Sequence, residues 1–213
     1  MSDSITLYDL HASPNNLKVR LALGAKGLKY TKVAVDPVDR SAIVALSGQP
    51  LTPVLKHGDR VIFDSSAILR YIDANFREGA PLFHADRDRM KEIESWETSF
   101  RTAGVEPISV VFRQFFSETP DRSACAAASR KLNTFTAAVE DRLQQHDYLV
   151  GDRLSAADII GAAMVSMGMV NEERVSKDPK FAKALEFFRQ HLSLGDGRDK
   201  TRAWVERILV FDR

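Results

Sequence analysis

The run from Thr52 to Tyr71, Thr-Pro-Val-Leu-Lys-His-Gly-Asp-Arg-Val-Ile-Phe-Asp-Ser-Ser-Ala-Ile-Leu-Arg-Tyr, constrains the fold more than any other stretch of the chain. Val54-Leu55 and Val61-Ile62-Phe63 are short apolar runs on either side of His57-Gly58-Asp59, turn chemistry that predicts an antiparallel hairpin. Asp64-Ser65-Ser66 then opens a helix, with Ser65 or Ser66 at its cap. Proline cannot donate to a sheet ladder, so Pro53 belongs at the first residue of a strand, where a cis peptide bond is tolerated. Such a bond turns the Thr52 backbone outward. At the far end of the hairpin, the helix start offers unpaired amide protons and a positive dipole end, which suit a carboxylate. An extended backbone edge beside an anion site fits a small peptide with a free carboxylate. An ordinary hairpin followed by a capped helix has the same pattern, and on this stretch alone both readings stand.

Upstream, Ile5 to Leu10 reads as a strand. Leu17, Val19, Leu21 and Leu23 follow in a helix closed by Gly24 or Gly27, and Tyr30 to Val35 returns as a second strand. Two strands joined by a helix form a right-handed parallel unit, so the first half runs βαβ then ββα. Around Glu78-Gly79-Ala80-Pro81 the period changes, and the remainder repeats at helical spacing. The expected division is a domain over 1–78, a linker over 79–86 and an all-helical domain over 87–213.

Met90, Ile93, Trp96 and Phe100 share one helical face, as do Ala128, Leu132, Phe135, Val139 and Leu143 on the next helix. Ser155-Ala-Ala-Asp158 has the form of a capping box, with aspartate in place of the usual glutamate. The helix it opens is apolar almost all round and is expected to run through the centre of the second domain. Trp204, Val205 and Ile208 belong to a final helix against it, and Gly195-Asp-Gly-Arg-Asp reads as an exposed loop.

Composition removes several function classes. Thirty basic and twenty-nine acidic side chains give a net charge of +1, too balanced for the field that drives nucleic-acid binding. The longest apolar stretch, Ile159 to Met169, is too short to span a bilayer. The first twenty residues, with Asp3, Asp9, Pro14 and Asn15, lack the pattern of a secretion signal, so a cytoplasmic location and no membrane partner are expected. Cys125 is the single cysteine, which excludes an internal disulfide, a Cys-x-x-Cys pair and a thiolate zinc cluster; it reads as a small packed residue. No metal is expected, since His11 has no nearby co-ligands.

In order, Leu7-Tyr8, Ser13-Pro14-Asn15-Asn16-Leu17-Lys18-Val19, Thr52-Pro53-Val54-Leu55, Asp64-Ser65-x-Ala67-Ile68 and Tyr148-Leu149-Val150-Gly151-Asp152-x-Leu154-Ser155-x-x-Asp158 resemble the cytosolic glutathione transferases over nearly the whole chain, in a serine-type, bacterial-like form. The resemblance implies a thioredoxin-like domain that holds glutathione as co-substrate, an all-helical domain that helps hold an electrophilic small molecule, and a homodimer. It places Thr52 and Pro53 against the cysteinyl backbone of glutathione, and Asp64 and Ser65 at its γ-glutamyl end.

The resemblance also nominates Ser13, six residues before the apolar helix position Val19, to hydrogen-bond the glutathione sulfur. Such a bond favours the thiolate and lowers the thiol pKa, so no His-Asp relay is needed. Asn15 matches an asparagine that some bacterial and fungal relatives use near the sulfur, although Asn16 stands where their pattern has glycine. A helix cap for Ser13 and a turn for Asn15 are the alternative roles. Tyr8 lies inside the strand and reads as packing. Leu51 replaces the polar residue that commonly helps hold the glycyl carboxylate, leaving Gln49, Arg40 or Lys56 for that end.

Leu10, His11, Phe100, Gly104 and Phe112 are the expected lining of the second-substrate pocket. The reaction implied is attack of glutathione thiolate on an electrophilic carbon, with peroxide or disulfide reduction as close variants. A non-catalytic, ligand- or protein-binding relative is the alternative.

Overall fold

The computed structural model describes residues 4–170 and 182–213, and all structural statements refer to these. Its first half is a four-stranded sheet in the order β2-β1-β3-β4, built from β1 (Ile5–Asp9), β2 (Thr31–Ala34), β3 (Val54–His57) and β4 (Arg60–Phe63). β1 and β2 are parallel and joined through α1 (Pro14–Ala25), while β1–β3 and β3–β4 are antiparallel. The βαβ-ββα order read from the sequence is therefore the order observed. β3 and β4 turn through Gly58-Asp59, with Gly58 at φ 57. The Thr52–Pro53 peptide bond is cis, immediately before β3.

α1 begins with Pro14 in its first turn, where a missing amide proton costs nothing. Past its end Gly27 adopts φ 66, whereas Gly24 lies inside the helix. Gly24 has a packing role: a Cβ there would stand 1.8 Å from the Phe211 carbonyl oxygen, so the segment near the C-terminus lies directly on α1.

One element was not foreseen. α2 (Ser41–Ser47) precedes the hairpin and ends at Gly48, φ 75. Its seven residues hold one continuous apolar run, Ala42 to Leu46, too short to show a helical period, and only Ile43 is buried.

α3 (Ser65–Asn75) differs from expectation at its start, because Asp64 and not Ser65 or Ser66 is the cap. Its carboxylate accepts from the Ser66 and Ala67 amides at 2.9 and 3.0 Å, a reach that fits the second and third helical positions.

The second half is helical: α4 (Arg87–Ser99), α5 (Val105–Phe115), α6 (Arg122–Gln145), α7 (Ala156–Val165), α8 (Ala182–Leu192) and α9 (Asp199–Leu209). A π-helical turn, 100–104, links α4 to α5, and Ser166–Gly168 forms a 3-10 turn after α7. Every residue of α7 is buried, as its apolar surface demanded. Gly161 lets two rings approach this helix, for a Cβ there would stand 2.6 Å from Phe100 and 2.7 Å from Trp204.

The capping box at the start of α7 forms. The Asp158 carboxylate accepts from the Ser155 amide and hydroxyl, and also from the Leu149 amide and the Trp204 indole. Cys125 is buried within α6. No described helix is long and apolar enough to cross a membrane.

Candidate active site

The loop between β1 and α1 is shaped by its own chain. Ser13 occupies the cap position of α1, and its carbonyl takes the Asn16 and Leu17 amides at 3.1 and 3.0 Å. Its hydroxyl makes no capping bond, so the capping role belongs to its backbone alone. With His11, Arg20, Met167, Leu209 and Asp212, Ser13 lines a cavity of about 350 Å³.

Arg20 forms one wall of that cavity. It is 2% exposed and bonds Asp9 at 2.7 Å and Asp212 at 2.7 and 3.2 Å, so that β1, α1 and the segment after α9 are tied together.

Asn15, two residues on, faces a second cavity of about 580 Å³, shared with Lys18, Asp64, Ser65, Glu97 and Arg101. Asp64 adopts φ 69 and ψ 120, a conformation that a non-glycine residue holds only when its surroundings fix it. Its two cap bonds supply part of that constraint. Across the cavity, Arg70 on α3 makes a bidentate pair with Glu97 on α4, at 2.7 and 3.2 Å. Burial works against the Glu97 charge, but hydrogen bonds from Arg70 and Ser66 outweigh it and hold the carboxyl below its ordinary range.

Asn16 joins the two ends of the site. Wholly buried, it accepts from the Leu10 amide at 3.0 Å and donates to the Thr52 hydroxyl at 3.1 Å. The residue that departs from the relatives' glycine thus latches the Ser13 loop to the residue before the cis-proline.

The remaining expected residues lie as follows. Pro53 is buried and Thr52 half-buried. Gln49 turns its amide into its own loop, donating to Ser47 and to the Leu51 carbonyl and accepting from the Leu51 amide. Phe100 reaches the Asn15 cavity from the core. Leu10, Gly104 and Phe112 line neither cavity. Gly104 packs on Phe135, and Phe112 is drawn into an aromatic cluster with Phe116 and Phe188 at the far end of α5. Lys18, Arg20, Glu97 and Asp212 were not foreseen as site residues. Only Lys18 left a local signal, three residues after Asn15 on the first turns of α1.

The profile described as glutathione S-transferase, N-terminal domain, matches residues 7–80, and that described as glutathione S-transferase, C-terminal domain, matches residues 104–209. The chain belongs to the glutathione S-transferase family. Among curated members of that family it is similar to glutathione S-transferase 3 of Zea mays, at 29% identity over 72% of this chain and 73% of the maize protein. Glutathione S-transferase F10 of Arabidopsis thaliana is 28% identical over 84% of this chain and 89% of its own. Among solved structures, glutathione S-transferase III in apo form superposes with a TM-score of 0.68 at 27% identity, covering 97% of this chain and 91% of that one. The theta class glutathione S-transferase of Xanthomonas axonopodis pv. citri with glutathione bound shares the fold, with a TM-score of 0.70 at 23% identity over 96% and 92% of the two chains. The thioredoxin-like sheet and the helical half seen here are those of a glutathione S-transferase.

Proposed function

We propose that this chain binds glutathione along the line from Thr52 to Asp64 and Ser65, and presents its thiolate to an electrophilic small molecule. The observation that carries the reading is Ser13 at the helix cap, its hydroxyl without a capping bond, lining one cavity while Asp64 and Ser65 line the other. A hydroxyl donating to sulfur stabilises the thiolate over the thiol. The thiolate then attacks the electrophilic carbon, by addition or with loss of a leaving group. Asn15 is the neighbouring candidate sulfur partner, two residues on in the first turn of α1.

Residues 1–78 hold glutathione in this account and 87–213 complete the second-substrate side, with 79–86 as linker. His11 and the Arg20-lined cavity supply part of that side, and Phe100 part of the other. The strained Asp64 supports a ligand role for the start of α3, since such conformations cluster at binding sites. The glycyl carboxylate falls to Arg40, whose Nη1 is buried without a hydrogen-bond partner among the described residues, because Gln49 is occupied. Thiolate reduction of peroxides or disulfides uses the same geometry. A cytoplasmic homodimer is the form expected of it, and light scattering reports the dimer.

The test is retention on immobilised glutathione, followed by chlorodinitrobenzene conjugation by the native protein, Ser13→Ala and Asn15→Ala. Retention and turnover by the native protein, with turnover lost in Ser13→Ala, is the expected result. A folded native protein that neither binds nor turns over overturns the reading. No observation favours the non-catalytic alternative.

A further inference from the structure

The Asn15 cavity contains a cation that neither the cap of α3 nor the sulfur site uses. Lys18 stands one turn into α1 and is 8% exposed, and its Nζ donates to Asn15 Oδ1 at 2.9 Å. That is its one hydrogen bond among the described residues, and no carboxylate there pairs with it. An ammonium has three protons to give and is costly to bury without an anion. Two of the three remain for a ligand.

The charged groups around it come from α3, α4 and the π-helical turn, while α5 and α7 add only Val105, Ile160 and Met164. Asp64 and Arg70 face it from the start and second turn of α3, Glu94 and Glu97 from α4, and Arg101 from the π-helical turn. Arg70 is already spent on Glu97. Lys18 and Asp64 thus share one cavity as an ammonium without an ion-pair partner among the described residues and a carboxylate, the two charges that complement the zwitterion of an α-amino acid. Burial lowers the Lys18 ammonium to about 8, with Glu97 and Asp64 holding it partway up. A bound anion beside it offsets the cost of burial and keeps the ammonium charged to higher pH.

We propose that Lys18 is a further glutathione-binding residue, its buried ammonium pairing with the α-carboxylate of the γ-glutamyl group while Asp64 takes the ammonium of that group. The assignment rests on the glutathione reading above and adds to it the residue that neutralises the carboxylate. The hydrogen bond to Asn15 gives Lys18 a second effect, since it occupies Oδ1 and leaves the NH2 of that amide to donate elsewhere.

The experiment is calorimetric titration with S-methylglutathione, which has no thiol to ionise, and with its analogue lacking the glutamyl α-carboxylate. Native protein, Lys18→Met and Lys18→Arg are compared from pH 7 to 9.5. At pH 7, Lys18→Met is expected to bind S-methylglutathione at least about tenfold more weakly than native, the scale of a charge-assisted hydrogen bond. For the analogue the two are expected to be equal.

Between pH 8 and 9.5 native affinity is expected to fall by about tenfold more than that of Lys18→Met, because the free enzyme loses its Lys18 proton and binding must recover it, while the ligand's own ammonium titrates alike with both proteins. Lys18→Arg, which keeps its charge, falls less over the same range. Equal binding of S-methylglutathione by native and Lys18→Met at pH 7 overturns the assignment, as does an equal loss for the analogue. Absence of binding by the native protein refutes instead the glutathione reading on which it stands.

Discussion

Asn16 shows how much of this site depends on side chains that need not touch the substrate. Its carboxamide spends one oxygen on the Leu10 amide and one proton on the Thr52 hydroxyl, so a single residue sets the Ser13 loop against the cis-proline. Asn16→Ala is expected to lower stability by about 1–3 kcal/mol, because the Leu10 amide and the Thr52 hydroxyl lose a buried partner. It is also expected to raise the KM for glutathione more than it lowers kcat. Urea unfolding and steady-state kinetics measure the two, and an unchanged midpoint contradicts the latch. In the sequence Asn16 stood out only as a departure from a relative's glycine. The cis Thr52–Pro53 bond and the start of α3 were legible because their chemistry is local: a proline and a capped helix. Lys18 was not, because its meaning depends on burial and on Asp64 and Glu97 across the cavity.

Among the elements, α7 was the most readable and the turn before α5 the least. The Ser155–Asp158 box is specified by four consecutive residues, and the apolar run after it can be stable only when buried. Burial pushes the Asp158 carboxyl up while its four donors pull it down, so the group is held by polar contacts from three separate segments. Asp158→Ala strands the Leu149 amide and the Trp204 indole and removes the cap. A loss of at least about 2 kcal/mol is expected, read from thermal or urea unfolding. A loss under about 0.5 kcal/mol, the size of an ordinary surface change, contradicts the role given to the box. The π-helical turn, 100–104, left no periodic trace, because it arises where Phe100 packs edge-on to Phe135, ring centroids 5.1 Å apart. That contact joins residues 35 apart in sequence. α2 escaped notice for a local reason: its apolar run, Ala42 to Leu46, is too short to show a helical period.

On the scale of the whole molecule, the two cavities are made where distant parts of the chain meet. Arg20 and Asp212 are 192 residues apart in sequence and pair against Asp9 under the Ser13 loop. Arg20→Met leaves Asp9 buried without its cation, and a loss of about 3–5 kcal/mol is expected in urea unfolding. Retained stability excludes this pair as the tie between sheet and final segment. Gly24→Ala is expected to displace the segment around Phe211 from α1 and to change the KM for the electrophile more than that for glutathione. Equal changes in both contradict the placement of the Asp212-lined cavity on the second-substrate side. The function proposed above turns on one event, the ionisation of a bound thiol at the Ser13 hydroxyl. The most direct measurement is an ultraviolet titration of glutathione thiolate in complex with native protein and with Ser13→Ala. The thiol is expected to ionise below the ordinary value of about 8.5 in the native complex, and to return toward that value in the variant. The same low midpoint in both proteins contradicts the assignment of Ser13 to the sulfur.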